Sequence, residues 1–200
     1  MNNELIEYIK RTETIDKLKA IIIGQDPYPN SPSGIAFCKE TFEELFYKDS
    51  NYHCCGQYVL YSLGITEKAI LNHKEKFQKP VDVFYYLLEN KIAVINICYE
   101  ILDAPFIAFQ KTIDFNRKLF EKNENAILKA AKLNKPLIEK AEKIFILGKH
   151  KTLPIFERFY NEFIPNETLI HPSNYNAQKK ETIQEWKSVW NTKYLINKIL

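Results

Sequence analysis

At 200 residues with 46% hydrophobic content, the chain is long enough to bury one substantial core without disulfides or a structural metal. Its net charge of +3 excludes an indiscriminate nucleic-acid coat, so affinity for a polyanion must come from a local cluster of cations. No apolar run approaches a membrane span, no repeat or low-complexity linker is visible, and Met1-Asn2-Asn3-Glu4-Leu5 opens no secretory h-region. The expectation is one intracellular domain over residues 1–200, cytoplasmic or nuclear, monomeric and away from the membrane.

Residues 3–10 have the spacing of a short amphipathic helix, and a strand is expected over 19–24. Its Ile21-Ile22-Ile23 run, bounded by Gly and Pro, reads as a strand covered on both faces, as in a parallel sheet. It exits into Gly24-Gln25-Asp26-Pro27-Tyr28-Pro29, with Gly34-Ile35-Ala36-Phe37 close behind. Pro27 and Pro29 fix their own φ and push Asp26 and Tyr28 away from helix, which makes the loop stiff. A carboxylate so held can activate a water, Tyr28 can form a wall, and Phe37 can offer a flat face to a planar ring. The plainer alternative is a Pro-rich turn whose Asp bonds its own backbone.

Beyond Cys38 the pattern is weak until a helix over 55–63, and residues 39–80 have no assigned role. A helix over 81–89 feeds the strand Ile92-Ala93-Val94-Ile95, which delivers Asn96. The Asn amide carries both a donor and an acceptor, the pattern that reads a pyrimidine edge. Helical periodicity over 112–133 follows, and Pro136 is expected to open a separate helix at its first turn. A strand over 143–147 ends at Gly148-Lys149-His150-Lys151, and a helix is expected over 153–162. The strand over 168–170 stops at His171-Pro172-Ser173-Asn174-Tyr175, where His171 can donate to an oxygen gaining charge and Ser173 can bond a phosphate. In the final helix, from Lys180, Trp186 and Trp190 mark a buried stripe rather than a base-stacking surface.

Alternating strands and helices predict an α/β fold, a central four-stranded parallel sheet with helices on both faces. Four apolar strands that all end in polar, loop-forming residues imply one shared crevice. Lys149, His150, Lys151, Lys179 and Lys180 fall near two of these strand mouths. Each alone is an ordinary solvated charge, and their shared location makes them a candidate polyanion patch.

Taken together, these motifs resemble the uracil-DNA glycosylase family. The family's strand-end GQDPY segment matches Gly24 to Tyr28, its GLxF segment matches Gly34-Ile35-Ala36-Phe37, its strand-ending Asn matches Asn96, and its HPS motif matches His171-Pro172-Ser173. The resemblance implies a hydrolase that cleaves the N-glycosidic bond of deoxyuridine in DNA, releases uracil and needs no metal or organic cofactor. It implies catalytic roles for Asp26, toward the water that attacks C1′, and for His171, toward the charge growing on O2. Gln25 would contact the uracil carbonyl, Tyr28 would block C5 and turn thymine away, Phe37 would stack on the base, and Asn96 would bond its N3 and O4 edge. Pro29, Gly148, Lys149, Ser173 and Tyr175 would contact DNA. Pro29 replaces the family's usual His, Tyr175 stands where the family carries a wedging Leu, and the Pro-rich loop that compresses DNA is not recognisable between Cys38 and Pro80. Pro29 also resembles the poxvirus branch, whose members double as polymerase processivity subunits. A glycosylase for another modified base, or a non-catalytic replication subunit, therefore stands as the alternative, with a polymerase-associated or inhibitor protein as a further partner beside DNA.

Cys38, Cys54, Cys55 and Cys98 lack CxxC spacing, and an adjacent pair is poor geometry for zinc. No cysteine precedes Cys38, where the iron-sulfur ligands of some relatives lie, so reduced thiols and no metal are expected.

Overall fold

The structure, a computed structural model, describes residues 3–25, 34–46, 55–102, 112–171 and 180–190. Its sheet has four parallel strands, β1 (Ala20–Gly24), β2 (Ile92–Asn96), β3 (Ile144–Leu147) and β4 (Glu167–Leu169), in the order β2-β1-β3-β4. Every residue of β1, β2 and β3 is buried. Because strand side chains alternate between faces, burial without alternation requires cover on both sides. The sequence expectation of a four-stranded parallel sheet with helices on both faces is met.

Helix α1 (Asn3–Glu13) precedes β1; α2 (Phe42–Leu45), α3 (Cys55–Ser62), α4 (Glu67–Leu71) and α5 (Pro80–Glu89) lead to β2. The helix expected over 55–63 is α3, and the weakly patterned stretches on either side of it hold α2 and α4, whose signals are local: Thr41 and Thr66 accept the Glu44 and Ala69 N–H groups as N-caps. At α5, the Asp82 carboxylate accepts from the Gln78 and Lys79 N–H groups, both at 2.8 Å, and Pro80 takes the first turn. Helix α6 (Thr112–Glu139) links β2 to β3, α7 (Thr152–Phe159) links β3 to β4, and α8 (Lys180–Trp190) follows. Trp186 in α8 is fully buried, a core residue as expected, and α8 packs on α3.

Pro136 does not open a new helix. It lies inside the continuous α6, where both it and Lys132, whose carbonyl loses its partner, are on the exposed side. Water can satisfy that carbonyl, so the break that a buried proline would force does not occur. At β4 the ladder ends one residue early: Gly148 N–H donates to Leu169 O at 2.9 Å, and the chain turns away at Gly148 with φ +122°. Ile170 is thereby released from strand pairing. Helix α7 stops at Phe159 because Tyr160 leaves the helical path and turns into the core.

Strand β2 lies at the edge of the sheet, so its outward polar groups need partners other than a strand. Val94 N–H donates to the Tyr8 hydroxyl at 2.9 Å, and Tyr8, from α1, is buried. Burial also holds the Tyr8 hydroxyl protonated far into the alkaline range. Replacing Tyr8 by Phe leaves that buried N–H without its acceptor; urea denaturation is expected to show a loss of about 1–3 kcal/mol. An unchanged midpoint would mean that the hydroxyl does not seal this edge.

Candidate functional site

The chain leaves β1 toward β2 on one side and reaches β3 on the other, so the order reverses between the carboxyl ends of β1 and β3. Open parallel sheets bind ligands at such a reversal. A crevice of about 460 Å³ lies there, lined by Gln25, Gly148, Lys149, His150, Lys151, Ile170 and His171. It draws on the ends of β1, β3 and β4 together.

The basic turn on its rim is held from three directions. Thr152 Oγ1 donates to Leu147 O at 2.9 Å, Leu153 N–H donates to Gly148 O at 3.0 Å, and Gly148 N–H is tied to β4. Gly148 adopts a backbone angle that L side chains avoid, and a β-carbon there would stand 2.8 Å from Thr152 Oγ1 and 3.7 Å from His171 Cδ2. The His171 ring therefore lies against the bare Cα of the turn. Burial, reinforced by the nearby Lys151 ammonium, lowers its pKa to about 4. At neutral pH His171 is an uncharged imidazole, a donor through one nitrogen and an acceptor through the other.

On the other side of β1, Gly24 pairs in register with Asn96. A β-carbon on Gly24 would meet Phe37 Cζ at 2.6 Å and Asn96 Oδ1 at 3.4 Å, so the glycine leaves room for the ring and the amide together. Phe37 is buried and has φ +63°, a strained backbone for a bulky side chain. Asn96 is 1% exposed, and its Nδ2 is buried with no hydrogen-bond partner among the described residues.

The backbone beneath this amide is fastened at each step. Ile97 N–H donates to Gly24 O at 2.8 Å and Cys98 N–H to Gln25 O at 3.2 Å, which carries the β1–β2 ladder beyond both strand ends. On the open side of β2, Asn134 Nδ2 donates to Asn96 O at 2.9 Å and to the Tyr160 hydroxyl at 3.0 Å. Tyr99 OH donates to Asn134 Oδ1 at 2.8 Å, and Tyr160 OH reaches Ile97 O at 3.4 Å. Burial raises the pKa of both tyrosines, so each remains a donor across the ordinary pH range.

Of the residues singled out in the sequence, Gln25, Gly148, Lys149 and His171 share the crevice, while Phe37 and Asn96 meet over Gly24 next to it and do not line it. Asp26, Tyr28, Pro29, Ser173 and Tyr175 lie outside the described residues, as does Lys179. Sequence reasoning missed Thr152, Asn134, Tyr99 and Tyr160. Asn134 had a signal: it continues the stripe Ile127, Ala130, Leu137 of α6 with an amide in place of an aliphatic group. No group of three or more His, Cys, Asp or Glu among the described residues could hold a metal ion, and no described helix is long and apolar enough to cross a membrane.

In shape, the chain is similar to crystal structures of UNG from Nitratifractor salsuginis, the wild type and a mutant with glycine in place of a tyrosine. Sequence identity is 15% to each, with TM-scores of 0.48 and 0.49, covering 94% of this chain and 78% of each of theirs. No family model matches the sequence, and no curated protein does.

The state of His171 has a measurable consequence. Its folded pKa of about 4 lies below the ordinary 6.5, so the unfolded chain takes up the proton first. Stability is expected to fall as pH drops from 6.5 to 4 and to level off on this account below that. In an NMR titration the imidazole should stay neutral to about pH 4, and Lys151→Met should move the midpoint upward. A midpoint at the ordinary value would contradict the buried, cation-flanked setting.

Proposed function

We propose that this chain is a uracil-DNA glycosylase, a monofunctional hydrolase of base excision repair that cleaves the N-glycosidic bond of deoxyuridine in DNA and leaves an abasic site. The observation that carries this reading is the Asn96 amide, buried beside Phe37 with its nitrogen unpaired among the described residues. A buried donor without a partner costs about 1–3 kcal/mol, and a ligand that accepts from it removes that cost. Uracil offers O4 to the nitrogen and its N3–H to Oδ1, with a flat ring for Phe37.

The chemistry asks for what the neighbouring residues supply. The target base must leave the stack, at a cost of a few kcal/mol that stacking and edge bonds recover. As the C1′–N1 bond breaks, its electron pair stays with uracil and spreads to O2, while C1′ becomes electron-poor. A neutral imidazole donating to O2 stabilises that charge, and the low pKa of His171 keeps it neutral. Asp26, directly after Gln25, would take the proton of the water that adds to C1′. Gln25 would contact a uracil carbonyl through its backbone, and Tyr28 would exclude a C5 methyl. Lys149 and Gly148 on the crevice rim, with Pro29, Ser173 and Tyr175, would hold the DNA backbone.

Purified protein should release uracil from a single-stranded uracil oligonucleotide and nothing from a thymine control, and Asp26→Asn should slow release at least roughly tenfold. Full activity in the mutant would remove Asp26 from its role. Absence of release by the wild type, with DNA binding intact, would favour a non-catalytic DNA-binding subunit instead. Lys149→Ala should weaken DNA binding irrespective of sequence and lower the log–log salt slope by about 0.7–0.9. An unaltered slope would exclude a phosphate contact at Lys149.

A further inference from the structure

We infer that Asn134 is a positioning residue for base recognition: its side chain sets the direction of the Asn96 amide through the peptide group that joins Asn96 to Ile97. The inference rests on the proposed role of Asn96 and extends it to a residue that touches no base.

The peptide between residues 96 and 97 is gripped at both ends. Its N–H donates toward the sheet, to Gly24 O at 2.8 Å, and its C=O accepts on the opposite side from Asn134 Nδ2 at 2.9 Å. Among the described residues no strand covers that side of β2, and Asn134 is the side chain that holds the carbonyl there. With Ile95 and Asn96 held in the β1–β2 ladder, fixing the plane of this peptide fixes ψ of Asn96 and so the direction in which its side chain leaves the backbone toward Gly24.

Asn134 is itself immobilised. It is fully buried, both of its donor hydrogens are used, on Asn96 O and the Tyr160 hydroxyl, and its acceptor takes the Tyr99 hydroxyl. A satisfied buried network of this kind holds one geometry, and removing one member leaves the others unpaired. The network also spans the two halves of the site. Tyr160 follows α7, whose first turn pins the Gly148–Lys151 rim, so one amide bridges the strand end bearing Asn96 and the helix bearing the basic turn. Sealing an edge strand, as Tyr8 does for Val94, would require the Asn96 carbonyl bond alone. Asn134 engages both tyrosines besides.

The test uses the full-length protein and free uracil as the probe. In Asn134→Ala the dissociation constant for uracil, per folded molecule, should rise at least tenfold, while affinity for undamaged single-stranded DNA stays within twofold (about 1.4 kcal/mol corresponds to the tenfold change). A purely structural residue would lower the melting temperature and leave uracil affinity per folded molecule unchanged, and that result would overturn the inference. If Asn134→Ala does not fold, Tyr99→Phe decides, since it removes the hydroxyl that orients Asn134 but keeps the ring. It should weaken uracil binding about threefold and displace the Asn96 side-chain amide resonance. Should the wild type not bind uracil at all, the proposed function fails, and the amide resonance still judges Asn134: displaced in Tyr99→Phe it supports positioning, unmoved it refutes it.

Discussion

Burial of β1 on both faces leaves Gly24 and Gln25 as the first positions at which that strand can meet a ligand. Its neighbours β2 and β3 are buried in the same way and run in the same direction. A polar group inside such a sheet would need a partner that aliphatic side chains cannot offer, so chemistry is forced to the carboxyl ends. Asn96, Gly148 and His171 all stand at that end. The reversal of strand order between β1 and β3 opens the crevice, and the two sides of the site are separated by one strand's width.

Those sides differ in their electrostatics. On the β3–β4 side, Lys149 and Lys151 line the crevice with an imidazole that burial keeps neutral. Cations at the rim suit a phosphate backbone, and a neutral N–H donor suits an oxygen that acquires charge only as a bond breaks. On the β2 side the described residues that meet over Gly24, Phe37 and Asn96, carry no charge. An aromatic ring and an amide meet over a glycine, which favours a flat, polar-edged ring over an ion.

Precision on the β2 side depends on how an edge strand is sealed. Tyr8 accepts one outward N–H and Asn134 supplies a donor to one outward C=O, so side chains from α1 and α6 stand where a fifth strand would lie. A strand partner would fix the backbone over its whole length. Two side chains fix it at chosen points, and one of those is the peptide beside Asn96. The strained backbone of Phe37 belongs to the same local design, since a positive φ is kept only where surrounding packing holds it.

Hydrophobic patterning and punctuation by Gly and Pro were enough to read the parallel strands and most of the helices; for β1, β2 and β3 this is because burial on both faces writes itself into the chain as uninterrupted aliphatic runs. Gln25, Asn96, Gly148, Lys149 and His171 were legible for the same reason: each lies within two residues of the end of an apolar run. The continuity of α6 through Pro136 was not legible, since it depends on which side of the helix meets water, and α2 and α4, unlike α3, carry too few residues for a period. The pairing of Phe37 with Asn96 over Gly24, the neutrality of His171 and the bond from Asn134 to the Asn96 carbonyl were decided by tertiary structure alone. They join residues far apart in the chain. Hydrogen bonds and desolvation act through space, and no local pattern records which distant group will arrive.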